Sequence, residues 1–136
     1  MMTAFIIVVI HFIADFIFQA EQWAVNKSKS NRALLMHTAT YSFIWFFASS
    51  FLFIQPCDLS NWTYAKVDVI KMLEFAAITF VAHTITDYLT SRVVSKKFAN
   101  NEYGSPIPNF GAFTVIGFDQ VLHYGQLFLT YHLLTN

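Results

Sequence analysis

The chain has 136 residues, 56% hydrophobic and 12% charged, with eight basic and eight acidic side chains cancelling to a formal net charge of zero. A soluble globular domain has about a quarter of its residues charged, so this balance argues against one, and the length allows a single domain. The absence of a basic surplus removes the electrostatic footprint of a nucleic-acid binder. The lone Cys57 permits neither an internal disulfide nor a metal-thiolate motif.

Four apolar runs order the sequence, at roughly 2–20, 33–54, 69–89 and 111–134. Each approaches the ~20 residues a helix needs to cross ~30 Å of hydrocarbon. They predict an all-α, polytopic membrane protein: one transmembrane domain, built as an antiparallel four-helix bundle.

The first run contains HFIAD, with His11 and Asp15 four residues apart and Gln19 four further on. A signal peptide would need a basic start, a shorter apolar core and small residues at the cut, none of which is present. The run is expected to stay as a span. The connection after it holds Lys27, Lys29 and Arg32. The second run carries His37 close to its start, with Thr38 and Thr40 expected to bond their own helix backbone. The next connection holds only Lys66, with Lys71 just inside the third run.

The third run contains HTITD, which repeats the spacing with His83 and Asp87, and Thr84 and Thr86 between them. It leads into Arg92, Lys96 and Lys97. Positive charge in the first and third connections puts both in the cytoplasm and both termini outside, in what is then a bacterial inner membrane. Trp23, Trp62, Tyr64 and Tyr88 fall near the span ends, as an interfacial aromatic belt would, although an aromatic-rich chain supplies such coincidences.

The segment 100–111, NNEYGSPIPNFG, is the clear loop, with Gly104, Pro106 and Pro108 as breakers. It reads either as a plain connection or as a lid beside the cytoplasmic surface. The fourth run contains DQVLH, with Asp119, Gln120 and His123. Here the order of acid and imidazole is reversed. Gly117 and Gly125 are eight apart on one face and are expected to admit a neighbouring helix. His132 has no acidic partner and is assigned to the interface.

Reversal of order together with reversal of direction is informative. Spans one and three run inward and span four outward, so Asp15, Asp87 and Asp119 share one level, and His11, His83 and His123 share another about one turn deeper. His37 falls near the aspartate level. An Asp at the centre of a span costs about 2.5–3.5 kcal/mol, so three together cost something near 8–10 kcal/mol unless compensated.

One compensation is mutual hydrogen bonding between helices, worth about 1 kcal/mol per bond. Another is a divalent cation held by His11, Asp15, His37, His83, Asp87, Asp119 and His123, which would satisfy carboxylate charges and imidazole lone pairs together. Nitrogen and oxygen donors without sulfur suit zinc first, with manganese, iron or nickel admissible. Seven candidates exceed one zinc site, so either two ions share a carboxylate or some aspartates orient histidines. Gln19, Lys27 and Gln120 are the neighbours expected to contact a substrate.

HFIADFIFQ, Lys27, His37, HTITD and DQVLH, taken together, resemble the bacterial and phage membrane proteins catalogued as domain of unknown function 3307. The resemblance covers nearly the whole chain and implies a small integral membrane protein. The layered histidines and aspartates are similar, more loosely, to those of inner-membrane metal-dependent hydrolases. Three functions are expected on these grounds: a metal-dependent hydrolase acting near the cytoplasmic leaflet on a lipid-like ester, amide or phosphoester, with Asp87 or Asp119 as base; a divalent-metal or proton transporter, needing a homo-oligomer for alternating access; and a metal-stabilised structural or regulatory subunit. The motifs of phosphate-binding loops, serine hydrolases and zinc peptidases are absent.

Overall fold

The computed structural model describes residues 2–55, 66–104 and 107–136. Cys57, Trp62, Tyr64 and Pro106 lie outside the described residues. The rest is almost entirely helical. Helix α1 (Met2–Phe12) continues without interruption into a π-helical turn, Ile13–Ile17, closed by the Phe18 N–H donating to the Ile13 carbonyl oxygen at 3.0 Å. A short α2 (Glu21–Asn26) comes next, then α3 (Asn31–Ala48), a 3-10 turn (Ser49–Phe51), the paired strands β1 (Ile54–Gln55) and β2 (Lys66–Val67), α4 (Val69–Ala99) and α5 (Phe110–Thr135).

The helix starts are fixed by side-chain caps. Ser30 accepts from the Ala33 N–H, Asp68 from Lys71 and Asn109 from Ala112, each satisfying one of the backbone donors that a first turn leaves unpaired. The end of α4 is equally well defined. Asn101 takes a left-handed conformation at φ 58°, its N–H donates to Phe98, and the Glu102 N–H donates to Lys97. That is the six-to-one and five-to-two pattern that terminates a helix.

The described parts of the segment, 100–104 and 107–111, are held as a tight cap on α4. Asn109 donates its amide to the Glu102 carbonyl oxygen at 2.9 Å, and Tyr103 is buried. The Glu102 carboxyl, held below the usual carboxylate range by the Asn100 amide and the Lys97 ammonium, ties the cap down further. Gly104 requires glycine, because at φ 84° a Cβ would sit 2.6 Å from the Ile107 carbonyl oxygen.

Helix α4 packs between α3 and α5, α1 lies against α5, and the π turn lies against α3, with α2 folded on α3. At the end nearest the β strands the core is aromatic. Ile7, Trp45 and Phe75 are fully buried there, the Trp45 and Phe75 rings 5.2 Å apart, with Phe53 and Leu127 beside them. At the other end the interior is polar.

Several sequence expectations shift. The first run is helical only to Ile17, the second starts at Asn31 and leaves the α-helix after Ala48, and the third continues ten residues past Leu89 to Ala99. Among the described residues one helix, Val69–Ala99, is long and apolar enough to cross a membrane, and Met2–Ile17 is a shorter apolar helix. Helices α3 and α5 are diluted by inward polar groups such as His37, Thr38, His123 and Thr130. Gly117 and Gly125 do not admit a neighbouring helix, since a Cβ on either would meet nothing within 4 Å. Three threonines reach beyond their own helix: the Thr84 and Thr38 hydroxyls join α4 to α3 at 2.9 Å, and Thr86 accepts from Gln126 of α5.

Candidate metal centre

The polar interior is assembled from four helical segments. The π turn contributes Asp15, α3 contributes His37, and α4 contributes His83 and Asp87 on one face. Asp119 and His123 come from α5. His37, His83, Asp87 and His123 are each 1% exposed and Asp15 is 4% exposed, so these groups face one another and not solvent.

Two imidazole nitrogens, His37 Nε2 and His83 Nε2, each stand beside Asp15 Oδ1 and Asp87 Oδ2. His37 Nε2 stands 3.2 Å from Asp15, 3.0 Å from Asp87 and 3.2 Å from His83 Nε2. His83 Nε2 stands 3.6 Å from Asp15 and 3.4 Å from Asp87. Metal–ligand distances of about 2.0–2.1 Å place neighbouring donors about 3.3–3.4 Å apart, and the three separations within Asp15, His37 and His83 scatter around that value, while Asp87 falls in a second group with His83 and His123. Asp15 Oδ1 has no hydrogen-bond partner among the described residues despite its two imidazole neighbours. Asp15, His37 and His83 could thus hold a metal ion, as could His83, Asp87 and His123, with nitrogen and oxygen donors and no sulfur.

A second group adjoins the first. His123 Nε2 is 3.5 Å from Asp87 Oδ1 and 3.5 Å from Asp119 Oδ2. The His83 and His123 rings stack at 4.2 Å, and Tyr41 stacks on the other side of His83 at 4.0 Å.

His11 is not brought into either group. Its Nδ1 is 2.7 Å from the Tyr41 hydroxyl and its Nε2 2.9 Å from Gln120 Oε1, so both ring nitrogens already have protein partners. Asp15 lies in the π turn and pairs with His37, whereas His11 lies in the preceding α-helix and pairs with Tyr41 and Gln120. In α4 and α5, which are regular, the four-residue spacing does bring acid and imidazole together, at 3.4 Å and 3.5 Å.

Beside the aspartates lies an open cleft of about 310 Å³. Asp15, Asp87 and Asp119 reach its wall, as do Gln19, Lys27 and Gln120. Lys27 Nζ is 2.8 Å from Asp87 Oδ2 and 3.5 Å from His37 Nε2. Sequence reasoning missed the hydroxyls on the same wall, Thr90, Ser91 and Ser95, and the stacking Tyr41. Their positions carry a signal: Ser91 and Ser95 come after Asp87 at steps of four, and Tyr41 comes four after His37, the spacing of one helix face.

Comparison with curated proteins and with solved structures finds no match. The family model described as protein of unknown function (DUF3307) matches residues 3–136, and the chain belongs to that family.

Proposed function

We propose that the chain is a four-span inner-membrane protein, both termini outside the cytoplasm, acting as a metal-dependent hydrolase on a lipid-like ester, amide or phosphoester at the cytoplasmic leaflet. The membrane reading rests on an inverted distribution of polarity. Phe5, Phe43, Phe113 and Phe118 are each at least 60% exposed, whereas four of the histidines are buried. Water would favour the reverse, and large apolar side chains on the outside of every long helix suit lipid. The polar residues that dilute α3 and α5 point inward, so a low mean hydropathy does not count against their spanning the bilayer as members of a four-helix bundle.

The observation that carries the hydrolase reading is the metal-ligand spacing of Asp15, His37 and His83, with Asp15 and the neighbouring Asp87 reaching the wall of a cleft large enough for a headgroup. Asp15, His37 and His83 would hold a divalent cation, zinc by donor type, which would supply Lewis acidity. The chain's own groups do the rest. Asp119, on the cleft wall, has a buried Oδ1 without a hydrogen-bond partner among the described residues and accepts the proton. Asp87 aligns His37 and His83. Lys27, Gln19 and Gln120 bind the polar part of the substrate.

Transport fits less well. Beyond the histidines the interior holds Trp45, Phe75 and Ile7, each fully buried, and the cavity lined by Thr79, His83 and Thr130 is only about 10 Å³. Elemental analysis of purified protein, beside His83→Ala and Asp87→Asn, tests the metal, and product release from a bacterial lipid extract tests the chemistry. Bound metal with mutant-sensitive hydrolysis is the expected result. A metal-free wild type removes the reading, and zinc flux into proteoliposomes without hydrolysis replaces it with transport.

A further inference from the structure

The Asp87 carboxylate divides its two oxygens between the two histidine groups. Oδ2 faces His37 and His83 at 3.0 Å and 3.4 Å, and Oδ1 faces His123 at 3.5 Å. From this geometry we infer that the protein holds a pair of divalent cations bridged by Asp87, the second bound by His123 Nε2, Asp87 Oδ1 and Asp119 Oδ2. The inference rests on the metal-dependent reading of the same site and deepens it.

The position of His123 supports the second ion independently. Its ring is 1% exposed, and Nε2 lies between two carboxylate oxygens, 3.5 Å from each, hydrogen-bonded to neither among the described residues. A direct N–H···O bond would draw one oxygen in to about 2.7–3.2 Å. Donors held by a common cation stay about 3.0–3.4 Å apart in octahedral or tetrahedral geometry, which is close to what is seen. Asp119 Oδ1 is a further buried oxygen without a partner among the described residues.

The second position has three protein donors, and two of them, Asp87 and Asp119, line the cleft. Three protein ligands with an open position is the arrangement of a catalytic ion, and a carboxylate-bridged pair about 3.5–4 Å apart is suited to in-line displacement at phosphorus. Two dications and the Lys27 ammonium outweigh the three carboxylates. The centre is left positive, which selects an anionic phosphoester from among ester, amide and phosphoester substrates.

The test is zinc stoichiometry on the full chain in detergent, stripped by chelator and dialysed against zinc alone. Two zinc ions per chain are expected for wild type, one for His123→Ala and one for His37→Ala. Manganese loading adds a spectroscopic readout: an exchange-coupled pair signal in wild type and an isolated six-line signal in His123→Ala. If His123→Ala fails to fold, Asp119→Asn at the cleft wall removes another ligand of the same ion and is expected to bind one zinc. One zinc in wild type, unchanged in His123→Ala or Asp119→Asn, overturns the pair while leaving the single-metal hydrolase standing. No zinc at all overturns both.

Discussion

Lys27 and Asp87, sixty positions apart in sequence, form a 2.8 Å ion pair at the edge of the buried histidine–aspartate cluster, with the lysine side chain 21% exposed and the carboxylate 1% exposed. The ammonium is also 3.5 Å from His37 Nε2, so it stands beside two of the proposed ligands. A dication and an ammonium sharing one carboxylate repel, by a few kcal/mol at short range and an intermediate effective dielectric. Lys27→Met should therefore raise zinc affinity about tenfold or more, measured by competition with a chromophoric chelator. Hydrolysis of an anionic lipid should fall at the same time, because the headgroup loses its cation. Unchanged zinc affinity would show that the lysine and the metal do not share Asp87.

His11 is predicted to be dispensable for metal, unlike the other buried histidines, His37, His83 and His123. Asp119 accepts from the Gln120 amide at 3.3 Å, which turns Gln120 Oε1 toward His11. That oxygen can only accept, so His11 carries its proton on Nε2 and its Nδ1 accepts from the Tyr41 hydroxyl. The chain of donors ends on Asp119. Tyr41→Phe leaves a buried nitrogen unpaired and should cost about 1–3 kcal/mol of stability, with zinc stoichiometry unchanged. His11→Ala should likewise retain the full zinc complement while slowing turnover. Loss of zinc in His11→Ala would return that residue to the ligand set.

How much of this was legible in the sequence depends on helix regularity. HTITD and DQVLH lie in unbroken α-helix, so four-residue spacing translates directly into the contacts of His83 with Asp87 and His123 with Asp119. HFIAD looks the same in sequence but contains a π turn, which no periodicity rule anticipates, and its two polar residues go to different partners. His37 is visible only by its depth, and its contacts with Asp15 and Asp87 depend on how α3 packs. The short α2 escapes a sequence reading because six residues carry too little periodic signal. Its effect is large, because it precedes Lys27 and helps to carry it to the cleft.

The topology gives a separate prediction. If the basic ends of α2 and α4 face the cytoplasm, an alkaline phosphatase fused after Asn136 should be active in cells, and a fusion after Asn100 inactive. The opposite pattern would put the cleft, with Asp15, Asp87 and Asp119, on the outer face. The substrate would then have to come from the outer leaflet.

Stability with and without metal should cross over at Asp119. Its Oδ1 is buried and has no hydrogen-bond partner among the described residues, an arrangement that is unfavourable for a carboxylate unless a cation or a proton satisfies it. Asp119→Asn removes that charge, so in excess chelator the variant should melt at or above the wild-type temperature, by the few degrees that about 1 kcal/mol represents for a domain of this size. Zinc reverses the ranking. A ligand at about a thousand times its dissociation constant adds about 4 kcal/mol to the native state, and the variant, short of one ligand group, should gain less. Thermal melts in detergent with chelator and with zinc make the comparison. If Asp119→Asn is less stable than wild type in both conditions by the same margin, the carboxylate is stabilised by protein contacts alone and has no part in holding a cation.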